Sequence, residues 1–242
     1  MTFINTFIPF TSAIISFIFS FFIFKRYAEK RRPHLLLWGL GMVFYGIGGF
    51  CEAYFGVFGW NDTIFRMWYL FGAILVAAWL GQGTVYLLAK RRIANILMVI
   101  LGAASAYAAI RVFGAQLDPN LLTTSVHTGS ELSGHAIVSP GIRTLTPFFN
   151  IYGVITLVGG AVYSAWIFYR KRVLLHRTIG NILIAVGALA PAFGGAFSRF
   201  GIPGALYIGE LLGATLIFLG FLRATTPMEE KQNQTSVSEA AS

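Results

Sequence analysis

The chain has 242 residues, of which 56% are hydrophobic and only 11% are charged, and its mean hydropathy is +0.71. A water-soluble domain carries about 25% charged residues, so this composition excludes a soluble globular protein and predicts an all-α polytopic membrane protein. The single cysteine, Cys51, excludes an intrachain disulfide and a thiolate metal cluster.

Seven apolar runs are long enough to cross a bilayer as helices, a crossing that takes about 20 residues. These runs are apolar on all sides, whereas the strands of a membrane barrel alternate between apolar and polar residues. In chain order the predicted spans are 4–24, 35–58, 64–89, 93–113, 147–169, 178–198 and 205–223. We interpret residues 1–225 as one seven-helix transmembrane domain with a long outer loop at 114–146.

The positions of the basic residues predict the orientation of the spans. Clusters of Lys and Arg follow the first, third, fifth and seventh spans, and an excess of these residues marks the cytoplasmic side. The N-terminus is therefore predicted outside and the C-terminus inside a cell membrane, for which we expect the plasma membrane. The net charge of +9 then predicts contact with anionic lipid headgroups rather than with nucleic acid. The polar segment 226–242 is predicted to be a disordered cytoplasmic tail.

A weak internal repeat relates the first three spans to the last three. From Ile23-Phe24 the chain passes through a basic turn into a glycine-rich helix, and the same order recurs from Ile167-Phe168. This order predicts a 3+1+3 plan, in which the fourth span joins two parallel three-helix units, a device that transporters use. Composition alone is an equally good explanation, because membrane hairpins rich in Gly, Phe and Arg resemble one another.

Seven spans, an outer N-terminus and the 3+1+3 order resemble the architecture of the small sugar transporters called SWEETs. The Pro-Gln pair of that family is absent from this chain, so the resemblance is architectural and no site residue is carried over. The topology also resembles microbial rhodopsins, which need a Schiff-base lysine in the last helix. The predicted seventh span contains no lysine, which argues against a retinal-binding pump.

Charged residues inside the spans are the candidates for a functional site. A charge near the bilayer centre costs about 2.5–3.5 kcal/mol on insertion scales, so it needs a partner or water. Glu52 and Glu210 both fall in the outer halves of their spans, and we expect them to face the bundle interior and to bind a solute or a proton. The other candidate ligand-binding residues, chosen for their position beside that region, are Arg66, Arg111, Arg199, Tyr45, Tyr207 and Gln82.

A structural alternative exists for the same charges. The two glutamates would then pair with arginines that only hold helices together, and the arginines near the span ends would extend to the headgroups.

The outer loop contains one further pattern. His127, Glu131 and His135 follow one another at four-residue spacing, so on a helix they would share one face, and they are ligand types that zinc accepts. The glycines and hydroxyl residues around them disfavour a helix, and solvated side chains are the commoner interpretation. No catalytic or nucleotide-binding motif is present, so the sequence predicts no cofactor and favours a protein that is not an enzyme. An intramembrane enzyme is the weakest of the alternatives that stay open.

The sequence therefore predicts a membrane protein that binds or translocates a small solute through a polar cavity opening outward. One alternative is a non-catalytic accessory or assembly subunit of a membrane complex. Another is a seven-helix ligand sensor, which would act through a partner because the tail is too short for an output domain. Beyond the bilayer and the solute, the expected partner is a membrane subunit or a second copy of the chain.

Overall fold

The computed structural model describes residues 3–123, 132, 134–170, 175–202 and 204–225. Seven helices in this part of the chain are long and apolar enough to cross a membrane, which confirms the predicted all-α seven-helix bundle. The helices are α1 (Phe3–Lys30), α2 (Pro33–Phe58), α3 (Asp62–Leu88), α4 (Arg91–Phe113), α5 (Leu145–Arg170), α6 (Leu175–Arg199) and α7 (Ala205–Thr225). The predicted tail, 226–242, lies outside the described residues.

Six of the helices form a closed ring. Each packs against two neighbours in the order α1, α2, α3, α5, α6, α7 and back to α1. If α1, α2 and α3 change places with α5, α6 and α7, the order around the ring stays the same. Two parallel three-helix units require this arrangement. The remaining helix, α4, packs mainly against α3 at the outside of the ring, and its apolar stretch is the least buried of the seven.

Glycines bring neighbouring helices into backbone contact. A Cβ atom at Gly209 of α7 would lie 2.5 Å from the carbonyl oxygen of Ala190 and 3.1 Å from the Cα of Gly194, both in α6. A Cβ atom at Gly48 of α2 would lie 3.0 Å from the Cα of Gly72 in α3. In lipid, where apolar burial does not drive association, such close packing is a main source of helix–helix attraction.

Two ring helices contain π-helical segments, Trp68–Leu75 in α3 and Val154–Val158 in α5. The wider turns of a π-helix interrupt the regular hydrogen-bond ladder and are frequent at functional sites. The side-chain amide of Asn150 in α5 donates to the backbone carbonyl oxygen of Ala73 at 3.1 Å, inside the first of these segments. The altered backbone of α3 is thus supported from α5.

The two ends of the ring differ. At the cation-rich end, α1, α3, α5 and α7 finish beside basic residues. The opposite end, which we name the outer end after the sequence prediction, is filled by aromatic rings. Neighbouring centroids lie 4.6–6.2 Å apart in a cluster made of Phe55, Trp60, Phe65, Trp68 and Tyr69. Leu132, Ala136 and Ile142 of the outer loop are buried in the same core, so this end of the fold is closed.

Candidate functional site

Glu52 of α2 and Glu210 of α7 meet inside the ring, close to the outer end. Their carboxyl groups lie close enough to interact directly, and Glu52 is fully buried. The indole N–H of Trp68 donates to Glu52 Oε1 at 3.0 Å. The Oε2 atoms of both glutamates are buried and receive no hydrogen bond from an N–H or a hydroxyl group of the described residues. Two carboxyl groups in such proximity can share a hydrogen bond when one of them carries a proton.

Tyr45 makes a second connection between α2 and α7. Its hydroxyl donates to the backbone carbonyl oxygen of Glu210 at 2.8 Å. The space for that hydroxyl exists because residue 213 is glycine: a Cβ atom at Gly213 would lie 2.8 Å from the Tyr45 oxygen. Tyr207, which is fully buried, lies one turn before Glu210 on the same helix. Glu52, Glu210 and Tyr45 therefore meet between α2 and α7, and Tyr207 is buried one turn away on α7.

Arg66 does not join this group. Its guanidinium donates to the carbonyl oxygens of Val112, Phe113 and Ala115 at 2.6–2.9 Å, and it lies 3.6 Å from the Asp62 carboxylate. The last carbonyl groups of a helix have no partner within the helix. Arg66 supplies those partners for the end of α4, so its contacts are structural.

Arg111 and Arg199 also lie apart from the glutamates. Arg111 donates to the Tyr107 hydroxyl at 2.6 Å and to the carbonyl oxygen of Pro140 at 2.8 Å, which ties α4 to the outer loop. Arg199 is exposed at the end of α6. Within the described ranges the ion pair that forms is Arg66–Asp62. The alternative in which arginines neutralise Glu52 and Glu210 is therefore wrong for this structure.

Gln82 is buried in a separate network. Its side-chain amide donates to the carbonyl oxygen of Ala94 in α4 at 2.8 Å, and its side-chain oxygen accepts a hydrogen bond from the Tyr152 hydroxyl in α5. Gln82 therefore joins α3 to α4 and α5 rather than extending the site around Glu52.

The predicted metal pattern is only partly visible. His127 and Glu131 lie outside the described residues, so the pattern stays a prediction. His135 is exposed, and its Nδ1 lies 3.0 Å from the carbonyl oxygen of Leu132. Elsewhere in the described ranges, no three His, Cys, Asp or Glu side chains group as metal ligands.

A central cavity enters the ring at the cation-rich end. Its wide part, which we call the vestibule, has a volume of about 400 Å³, and the narrow part has about 50 Å³. All six ring helices contribute to both parts, and α4 contributes to neither. The two parts are continuous through the residues that line both of them, which are Trp38, Leu87, Ser164, Asn181, Ile184 and Phe221.

The chemistry of this cavity changes along the ring axis. The titratable side chains that line the vestibule are Arg26, Lys30, Arg32, His34 and Arg177, with no carboxylate among its lining residues. The narrow part is mostly apolar and includes Met42 and Ile217. Met42 lies three residues before Tyr45 on α2, about 4.5 Å along the helix axis. Glu52 lies ten residues beyond Met42 on α2, about 15 Å along the axis, and Glu210 lies seven residues from Ile217 on α7, about 10 Å. The cavity thus ends about two to three helical turns short of the carboxyl pair.

The direction of opening differs from the sequence-based expectation. The sequence predicted a polar cavity that opens outward around Glu52 and Glu210. The cavity described above instead opens at the cation-rich end, and neither glutamate lines it. The physical reason is that the aromatic cluster and the described residues of the outer loop, among them Leu132, Ala136 and Ile142, fill the outer end.

Comparison with protein family models, with curated proteins and with solved structures finds no match to this chain. Its class therefore rests on the fold: a seven-helix integral membrane protein in which six helices surround a cavity that enters from the cation-rich end.

Proposed function

We propose that the protein translocates a small solute across the membrane through the interior of the six-helix ring. The observation that carries this proposal is the central cavity, because all six ring helices line it and it extends into the ring as far as Met42 of α2. A bundle that served only as an anchor would have no reason to keep such a space, since helix packing in lipid favours close contact.

The lining favours an anionic solute. Arg26 and Arg177 face the vestibule with aromatic rings behind them, their guanidinium carbons lying 5.3 Å from the Phe221 ring centre and 5.6 Å from that of Phe168. Neither is within ion-pair distance of a described carboxylate. Unpaired cations around a cavity raise the local concentration of anions, so we expect a small phosphate or carboxylate compound.

The ring is suited to alternating access. In such carriers one repeat moves against the other around a fixed site. Here the units would be α1–α3 and α5–α7, whose main contacts are α3 with α5 and α1 with α7, with Tyr45 of α2 bonded to α7 between them. The arrangement described above is open at the cation-rich end, and transport requires a second arrangement that is open at the outer end.

The test is an uptake screen in proteoliposomes that contain the full chain. The probes are radiolabelled inorganic phosphate, short mono- and dicarboxylates, and a neutral sugar for comparison. We expect uptake of at least one anion, reduced about tenfold or more by Ser164→Trp, which places a large ring in both parts of the cavity. Tyr163→Trp is the matched control, because Tyr163 is its chain neighbour and is exposed on the outside of the bundle.

Charge removal tests the solute class. Arg26→Gln and Arg177→Gln should weaken anion uptake, whereas Arg223→Gln should not, because Arg223 is exposed and lies outside the cavity lining. If none of the probes moves, the carrier proposal fails. Co-purification with a membrane subunit in fixed ratio would then support the accessory-subunit alternative.

A further inference from the structure

We propose that the Glu52–Glu210 pair binds the proton that is coupled to this transport, and that the bound proton holds the outer end of the ring closed. The coupling role rests on the function proposed above, whereas proton binding by the pair does not. Neither glutamate lines the cavity, so the pair has a role distinct from that of the solute site.

The surroundings of the pair supply no counter-charge. The titratable side chains around it are Tyr45 and Cys51 of α2, Tyr207 of α7 and the two glutamates themselves. The parts of α1 and α6 that pack beside this region carry no charged residue. Across the described ranges, no Lys, Arg or His forms an ion pair with either carboxylate. A proton is thus the cation that the two carboxyl groups are arranged to hold.

The bound proton changes the sign of the interaction between α2 and α7. Two ionised carboxylates in contact repel each other, and the repulsion is strong where little water is present. With one proton, the same two groups share a hydrogen bond. Glu52 belongs to the first three-helix unit and Glu210 to the second, so the proton adds an attraction between the units at their outer ends.

The position of the pair makes this attraction relevant to gating. The pair lies between the closed outer end of the ring and the deep end of the cavity, so a solute that crosses the ring must pass the pair. Loss of the proton would separate α2 from α7 where the two units meet. In the transport cycle the pair takes up a proton from outer water and releases it to the water of the vestibule, so that one proton moves inward with each solute.

Infrared spectroscopy of the full chain in lipid nanodiscs tests proton binding directly. At neutral pH we expect a carbonyl stretching band from a protonated carboxylic acid in the wild type. The band should shift in Glu52→Gln and in Glu210→Gln, because the remaining buried carboxyl group keeps a proton but loses its carboxyl partner, and it should be lost when both substitutions are combined. It should persist in Glu29→Gln, the matched control, because Glu29 is exposed at the end of α1.

Folding of the variants can be separated from proton binding. Glutamine has almost the volume of glutamate, and in Glu52→Gln its oxygen can still accept the Trp68 hydrogen bond. Glu210→Asp keeps a carboxyl group in the pair and should retain the band. A wild type without the band, or a band that survives when both substitutions are combined, would overturn the proton site.

Transport measurements then test the coupling. With a probe anion that the uptake screen identifies, an inward proton gradient should drive accumulation by the wild type and by Glu29→Gln. Glu52→Gln and Glu210→Gln should bind the anion without gradient-driven accumulation. If the infrared band behaves as expected but no anion moves, the carrier function fails and the proton site stands. If an anion moves regardless of the gradient, the coupling fails and the carrier function stands.

Discussion

Trp68 donates its indole N–H to Glu52 from the first residue of the π-helical segment of α3. This bond occupies Oε1 of Glu52 and fixes the carboxyl group within the first three-helix unit. The close approach of Gly48 to Gly72 brings α2 and α3 together along the same stretch. The Glu52 side chain is therefore positioned by contacts within the first three-helix unit, independently of its contact with Glu210 in the second unit.

Removing the Trp68 donor should destabilise the protein. In Trp68→Phe the ring volume is largely kept, but Glu52 Oε1 loses its partner while remaining buried. An unsatisfied buried acceptor costs about 1–3 kcal/mol, so we expect a loss of that size in the free energy of unfolding, measured by denaturant titration in mixed micelles. Trp166→Phe is the control, because Trp166 is 52% exposed and should change stability little. Equal effects of the two substitutions would contradict the role of the hydrogen bond.

A methyl group between α6 and α7 should be poorly tolerated. In Gly209→Ala the new Cβ would meet the carbonyl oxygen of Ala190 at 2.5 Å, so the helices must separate. Overpacking of this kind costs about 1–3 kcal/mol, and thermal unfolding should detect it. Gly102→Ala in α4 is the comparison, since no atom lies within 4 Å of its Cβ and alanine is the better helix former. A Gly209→Ala protein as stable as Gly102→Ala would show that the α6–α7 contact is looser than described.

Cys51 is a natural probe of opening at the outer end. It is the single cysteine of the chain, it is fully buried, and it precedes Glu52. We expect the rate of maleimide labelling of the folded wild type to increase with pH more steeply than the rate for detergent-unfolded protein. The rate for the unfolded protein supplies the correction for ionisation of the thiol. In Glu52→Gln and Glu210→Gln, which cannot place two negative charges in contact, the corrected rate should stay flat. Parallel rates in all three proteins would exclude opening that depends on the pair.

Arg66 should affect stability rather than solute binding. Hydrogen bonds from a charged donor contribute about 1.5–3 kcal/mol, and Arg66→Gln weakens several that complete the end of α4. We expect lower thermal stability with the affinity for a transported anion unchanged. Arg199→Gln, at an exposed helix end, should leave both properties as in the wild type. A change in anion affinity without a change in stability would return Arg66 to the solute site.

The spans could be predicted from the hydropathy along the sequence alone, because the bilayer requires long apolar helices. The predicted span 35–58 compares with Pro33–Phe58, and 93–113 with Arg91–Phe113. The largest difference is α1, which continues to Lys30 although the apolar run ends at 24. Helical hydrogen bonds continue through basic residues whose side chains reach the headgroups. A hydropathy pattern therefore locates the part of a helix that lies in the membrane core, not the full length of the helix.

The sequence could predict how deep in the membrane the site residues lie, but not which residues they contact. Residue spacing correctly put Glu52 and Glu210 at similar heights, since rise per residue is fixed in a helix. The contact partners depend on how each helix is rotated and which neighbours it meets, which tertiary packing decides. Trp68 illustrates the difficulty, because an aromatic residue near a span end suits a membrane interface and a packed core equally well.

The position of α4 outside the ring has a consequence for how such a fold can arise. A unit of three helices crosses the membrane an odd number of times, so a second unit in the same orientation needs one extra crossing before it. α4 supplies that crossing and lines no part of the cavity. Two separate copies of a three-helix chain, each oriented by its own basic residues, would therefore build the same kind of ring as a symmetric dimer, with no counterpart of α4.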